Sequence, residues 1–283
     1  MGLDIFGFAG KRVLVVGGAT GMGAAAAKLA LGLGAEVVVM DIAPITLAGV
    51  TAVHINLCDR PGIDEALASI SGPIDVVLAC AGVAEGTPGI EKVNFIGHRH
   101  LIERLLADDR LPRGSTIGMV SSMAGLGWEP ELPLLCEYLD TPDFESAAAW
   151  IEAHPGTANY RWSKQAMNAY VARQAFPLLK RGIRINAILP GPTDTPLAQA
   201  NAEQWLGFGS DYRGDAGIPP ASAEDQAYPL LYLCSRAANY ISGVTLVVDN
   251  GMLGAGLTQA YPAATPAAGA LLGRIGELVF GTS

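Results

Sequence analysis

Residues 12–33 constrain this chain most. Arg12-Val13-Leu14-Val15-Val16 is a short, β-branched apolar run that suits a buried strand. Gly17-Gly18-Ala19-Thr20-Gly21-Met22-Gly23 follows at once, and residues 24–33 then form an alanine- and leucine-rich helical stretch. A strand, a glycine turn and a helix in direct succession are the context in which a glycine cluster binds phosphate. Glycines turn tightly and let a pyrophosphate approach; the helix start adds unpaired N–H groups and partial positive charge. Gly17, Thr20, Gly21, Met22 and Gly23 are therefore expected to contact a dinucleotide.

The rhythm continues down the chain. Residues 36–40 read as a second buried strand ending at Asp41, about twenty residues past the glycines, where an acid accepts hydrogen bonds from ribose hydroxyls. That charge would repel a 2′-phosphate, and neither the glycine loop nor residues 42–50 hold Lys or Arg, so NAD is expected in preference to NADP. Further strands are expected at 52–57, 74–79, 116–120, 183–189 and 244–249, and helices at 61–70, 90–108, 159–181 and 222–236. Such alternation implies an α/β fold: one doubly wound parallel sheet of Rossmann type, about seven strands, helices on both faces. Ligands bind at the carboxyl ends of such strands, where Gly17, Asp41, Cys80-Ala81-Gly82 and Ser122 fall.

Composition removes several function classes. The net charge is −9 and basic residues are nowhere clustered, which argues against nucleic acid or an anionic membrane surface as partner. The amino terminus lacks the pattern of a signal peptide and no apolar run is long enough to span a bilayer, so a cytoplasmic location is expected. Cys58, Cys80, Cys136 and Cys234 lack metal or disulfide spacing and are expected as buried reduced thiols. His98 and His100 are expected on a solvated or interfacial part of their helix.

Within a single domain of 283 residues, three segments depart from the pattern. Residues 125–158 form a proline-containing excursion, with a helix expected at 142–153 capped by Thr141; it serves either to cover an interface or to wall an apolar pocket. Residues 195–220, with Trp205, Phe208 and Tyr212, suit a lid over substrate. Residues 252–283 are a tail with an amphipathic stretch at 270–280, expected to pack on its own or a neighbouring subunit. Trp128, Leu132, Trp162, Trp205 and Phe208 are candidate pocket walls or core residues.

Tyr160 and Lys164 lie one helical turn apart, so one face presents a phenol beside an ammonium. A nearby cation favours the phenolate and brings an otherwise weak base toward neutral pH.

Together, Gly17-x-x-x-Gly21-x-Gly23, Cys80-Ala81-Gly82, Asn94, Ser122, Tyr160-x-x-x-Lys164 and Pro190-Gly191 followed by Thr195 resemble the short-chain dehydrogenase/reductase family, from about residue 11 to 251. The long excursion makes the chain similar to its hydroxysteroid dehydrogenase/carbonyl reductase branch. The resemblance implies that Tyr160 is the general acid/base, that Ser122 binds the substrate oxygen and that Lys164 holds the nicotinamide ribose. It implies that Asn94 binds a relay water, while Pro190, Gly191, Thr193 and Thr195 orient the carboxamide. Asn56 and Leu57 would lie by the adenine, Asn56 where an Asp is common; Val16 and Ala79-Cys80 also depart from the usual residues. The implied activity is NAD-dependent interconversion of a secondary alcohol and a ketone on a bulky apolar substrate, hydroxysteroid-like first. Terpenoid or aromatic alcohols are the alternative, and an NAD-binding sensor without turnover is a third reading. A homo-oligomer is expected, a tetramer or a dimer.

Overall fold

A computed structural model describes residues 4–273. Seven parallel strands form one sheet in the order β3-β2-β1-β4-β5-β6-β7. They are β1 (Arg12–Val16), β2 (Glu36–Asp41), β3 (Thr51–His54), β4 (Val76–Ala79), β5 (Thr116–Val120), β6 (Arg184–Pro190) and β7 (Thr245–Val248). Side chains alternate across a strand, so an unbroken apolar run feeds both faces. Val13 and Val15 enter the core beneath α1 (Gly21–Gly32) and α10 (Ala223–Cys234); Leu14 and Val16 enter the other, beneath α2 (Arg60–Ala68), α3 (Gly97–Ala107) and α6 (Tyr160–Lys180). The alanines of α1 keep that helix close to the sheet.

The excursion contains two helices, α4 (Leu132–Leu139) and α5 (Phe144–Ala153). The first is not among the expected helices; its Pro133 stands in the first turn, where a missing N–H costs nothing. The cap of α5 is Asp143, which accepts from the Ser146 N–H, and not Thr141, whose hydroxyl and carbonyl receive the Arg99 guanidinium. Leu135, Tyr138, Phe144 and Ile151 join the core between α3 and α6, with Tyr138 against Phe95 and Trp162.

The lid region contains α7 (Pro196–Gln199), α8 (Ala202–Trp205) and α9 (Ser210–Ala216), and the tail α11 (Met252–Leu257) and α12 (Thr265–Leu271). The expected helix at 270–280 falls largely outside the described residues. His98 and His100 are buried, contrary to expectation, on different faces of α3: His98 turns to the Ala81 carbonyl after β4, and His100 pairs with Asp64 of α2 and packs edge-on against Phe144 of α5. The four cysteines are free, but only Cys234 is buried; Cys58, Cys80 and Cys136 are partly exposed, contrary to expectation, because Cys58 and Cys80 lie at element ends and Cys136 on α4, outside the sheet. Among the described residues no helix is long and apolar enough to cross a membrane, and no cluster of His, Cys, Asp or Glu is placed to hold a metal ion.

Candidate active site

The glycine loop is pressed against the end of β4. Gly17 has φ +85°, and a Cβ there would stand 2.3 Å from the Ala81 Cα; a Cβ on Gly23 would stand 2.0 Å from the Gly17 carbonyl oxygen. Thr20 caps α1 in extended conformation without using its side chain, so the first N–H groups of the helix remain available to an anion. Asp41 braces this loop: its two carboxylate oxygens accept from the Ala19 and Ala43 N–H groups, each at 2.9 Å. A carboxylate has about four acceptor positions, so two remain for ribose hydroxyls. Asn56 accepts from the Cys58 N–H, and Leu57 is buried beneath α3.

The carboxyl ends of β4, β5 and β6 open on a cavity of about 340 Å³. One side carries Met22, Cys80, Gly82, Pro190, Gly191, Thr193 and Thr195, and the floor carries Ser122, Tyr160 and Lys164. The remaining wall is Met123, Leu197, Trp205, Phe208 and Leu271. A groove of about 380 Å³ between α2 and α3 is as large, but Arg104 there pairs with Asp64 and Asp108 and no chemical group converges on it.

The floor is built by local rules. Asn159 caps α6 by accepting from the Trp162 N–H at 2.8 Å, which places Tyr160 in the first turn, where the positive helix end favours an anion. The Tyr160 N–H donates to Glu85 Oε2 at 2.8 Å. Lys164, one turn on, is buried; Nζ donates to the Val120 carbonyl at 2.9 Å and lies 5.5 Å from the Tyr160 ring centre. Ser122 caps the turn Met123–Gly125, its Oγ accepting from the Ala124 N–H. Asn94 sits in a π-turn, Lys92–Ile96, a local widening frequent at functional sites. Its carboxamide takes the Val83 N–H and donates to the Val83 carbonyl, and Nδ2 also reaches Ser163. A Cβ on Gly82 would lie 3.4 Å from Asn94 Oδ1 and 3.8 Å from Lys164 Nζ, so these three meet at the inner end of the cavity.

The electrostatics differ from the simple expectation. Burial pushes the Tyr160 phenol up, with the Ser122 hydroxyl opposing the shift. Burial also pulls Lys164 down to about 8, with Cys80 opposing. In the protein alone desolvation outweighs the attraction between phenolate and ammonium.

Ten of the expected residues thus line one cavity. Gly17, Thr20, Gly21, Gly23 and Asp41 form the adjoining loop, Ala81 backs it, Asn94 supports the inner end, and Asn56 and Leu57 lie outside. Of the candidate walls, Trp205 and Phe208 line the cavity, and the Trp205 ring is 5.3 Å from that of Tyr160. Trp162 is core, Trp128 packs against core and Leu132 is exposed, so the excursion does not wall this cavity. Glu85, His98 and Leu271 went unrecognised. Leu271 was visible only as part of an apolar stretch, and nothing in the sequence marked the other two.

Residues 146–253 match the family model described as Enoyl-(Acyl carrier protein) reductase. The chain is 28% identical over 252 residues to coniferyl-alcohol dehydrogenase of Pseudomonas sp. (strain HR199 / DSM 7063), covering 86% of this chain and 96% of that one. It is 30% identical over 263 residues to cis-4-hydroxycyclohexanecarboxylate dehydrogenase of Sinomonas cyclohexanicum, covering 86% and 97%. The 3-alpha-hydroxysteroid dehydrogenase from Pseudomonas sp. B-0831 complexed with NADH superposes with a TM-score of 0.71 at 25% identity, covering 89% and 99%. With its glycine loop, its seven-stranded parallel sheet and full-length relatives of this kind, the chain belongs to the short-chain dehydrogenase/reductase family of oxidoreductases.

Proposed function

We propose that this protein is an NAD-dependent dehydrogenase that interconverts a secondary alcohol and a ketone on a bulky apolar substrate, a hydroxysteroid-like ring system first. The observation that carries the reading is the convergence of Ser122, Tyr160 and Lys164 beneath an apolar wall of Trp205, Phe208 and Leu271. The dinucleotide fits the residues present: side-chain-free glycines against Ala81, open N–H groups at the start of α1, and a carboxylate with spare acceptor positions. Bound there, the nicotinamide would supply the hydride acceptor or donor.

In this reading Ser122 Oγ donates to the substrate oxygen and fixes its distance from the phenol. Tyr160 Oη takes the hydroxyl proton in oxidation and returns it in reduction. Lys164, held by the Val120 carbonyl, places its ammonium where it favours the phenolate. Asn94 fixes the inner end through Val83. The cavity excludes water and positions the carbinol, and such positioning supplies much of the acceleration.

Planar aromatic walls support a second reading, an aromatic or terpenoid alcohol, in keeping with the coniferyl-alcohol dehydrogenase relative. Absorbance at the reduced-nicotinamide band, with NAD or NADP and a panel of steroid, terpenoid and aromatic alcohols, separates them. Turnover with NAD and a steroid supports the first reading; turnover confined to flat aromatic alcohols supports the second; turnover only with NADP contradicts the cofactor assignment.

The protein is further read as a cytoplasmic homo-oligomer, a tetramer or dimer, that engages neither nucleic acid nor membrane. Outward-facing Phe176 and Leu179 on α6, Tyr228 and Tyr232 on α10, and Leu246 on the edge strand β7 support self-association.

A further inference from the structure

Residues 252–273 fold back onto the active-site side of the sheet. Helices α11 and α12 pack on each other tightly enough that a Cβ on Gly256 would lie 2.7 Å from the Ala264 carbonyl oxygen, and Thr265 Oγ1 donates to the Gly256 carbonyl at 2.8 Å. This pair is seated on the turn that carries the active-site serine. A Cβ on Gly127 would stand 2.5 Å from the Leu272 carbonyl carbon, and Arg161, beside Tyr160, reaches the Ala270 carbonyl. Leu271 thereby enters the wall of the cavity that holds Ser122 and Tyr160.

The lid region meets the same segment. Met123, Met252 and Ala264 form the buried centre of a small apolar cluster, distinct from the two cores flanking the sheet, with Phe208, Tyr212, Tyr261 and Leu271 around it. Tyr212 donates to the Asn250 carbonyl at 3.0 Å, and its ring meets that of Tyr261 edge-on at 5.2 Å. Tyr261 in turn donates to Asp215 Oδ2, near the end of α9, at 2.8 Å.

We infer that residues 252–272 are the specificity wall of this site: Leu271 sets the size limit for substrate, and the Tyr261–Asp215 hydrogen bond latches α9 onto that wall. The word substrate rests on the dehydrogenase reading; the latch does not. A small cluster with few partners opens more readily than a core flanking a sheet, so one polar bond at its rim has leverage over the lid. The hydrogen bond to Asp215 pushes the Tyr261 phenol up to about 12, so Tyr261 stays a donor throughout the neutral range.

The test has two arms on the full chain. In the first, deuterium uptake at the amides of 210–216 is compared between wild type and Tyr261→Phe; the latch requires uptake about threefold or more faster in the variant, and equal uptake overturns it. In the second, the ratio of kcat/KM for androsterone over cyclohexanol is measured with NAD for wild type, Leu271→Ala and Leu271→Phe. The wall requires the ratio to rise in the alanine variant and to fall in the phenylalanine variant, by about tenfold each. A ratio that fails to separate the variants in that order overturns it. Absence of turnover by wild type with either alcohol and either cofactor would sink the dehydrogenase reading and overturn Leu271 as a substrate limit; the exchange arm would still decide the latch.

Discussion

Asp41 and His98 show how much of this site is done by residues that touch no reacting atom. The sequence offers Asp41 as a ribose ligand; in the structure its carboxylate already holds the Ala19 and Ala43 N–H groups and so braces the glycine loop. Asp41→Ala should therefore do two things: reduce the kcat/KM preference for NAD over NADP, and lower stability by about 1–3 kcal/mol as those N–H groups lose a charged acceptor. Kinetics with both cofactors and thermal melts check this; a lower Tm with unchanged preference would leave Asp41 as a brace alone. His98 lies one turn past Asn94, wholly buried, with Nε2 2.9 Å from the Ala81 carbonyl. It supports the strand end against which Gly17 is pressed, where the chain carries Ala79-Cys80 in place of the usual asparagines. Burial pulls its pKa from 6.5 down to about 4. Between those values the unfolded chain binds a proton that the folded chain refuses, so this group removes stability as pH falls from about 6.5 toward 4. His98→Gln keeps a donor for Ala81 and should lose about 2 kcal/mol less than wild type between pH 7 and 4.5, read by denaturant titration. Parallel losses would contradict the assignment.

At the scale of elements, what was legible was local. The inner strands β1, β2, β4, β5 and β6 were recognisable because an apolar run buried on both faces leaves no alternation to misread, and α6 because Asn159 caps it and its inward face is continuous. What was not legible was decided by distant partners. His100 became buried because Phe144 of α5, about forty residues on, covers it, His98 because it turns to the Ala81 carbonyl, and β3 stops at His54 where its pairing with β2 ends at Asp41. The excursion's function as core could not be separated from a pocket wall, since Leu135 and Trp205 are equally apolar and only the fold sends one inward and the other to the cavity. Tyr138 packs with Phe95, Trp150 and Trp162 in that core. Tyr138→Ala should cost about 3–5 kcal/mol, seen in unfolding curves, while kcat/KM below the melting transition changes little. A large loss of kcat/KM in the folded variant would return the excursion to the pocket.

For the whole molecule, a parallel sheet with its crevice at the strand carboxyl ends was legible from the alternation and the glycine loop, while the strand order needed the structure; the likeness to the NADH-bound hydroxysteroid dehydrogenase agrees with that architecture. A subunit contact is indicated by exposed apolar side chains on α6, α10 and β7. If α10 and β7 form a subunit contact, Tyr228→Glu combined with Leu246→Lys should halve the mass found by light scattering while the monomer fold persists by circular dichroism; an unchanged mass would move the contact elsewhere. The account as a whole turns on Tyr160 as the group that moves the proton. Its most direct test is Tyr160→Phe beside wild type, following reduced-nicotinamide absorbance with NAD and the best alcohol of the panel, and NAD binding by calorimetry. The account predicts turnover reduced by about a thousandfold with NAD affinity within about twofold of wild type; oxidation at the wild-type rate in the phenylalanine variant would contradict it.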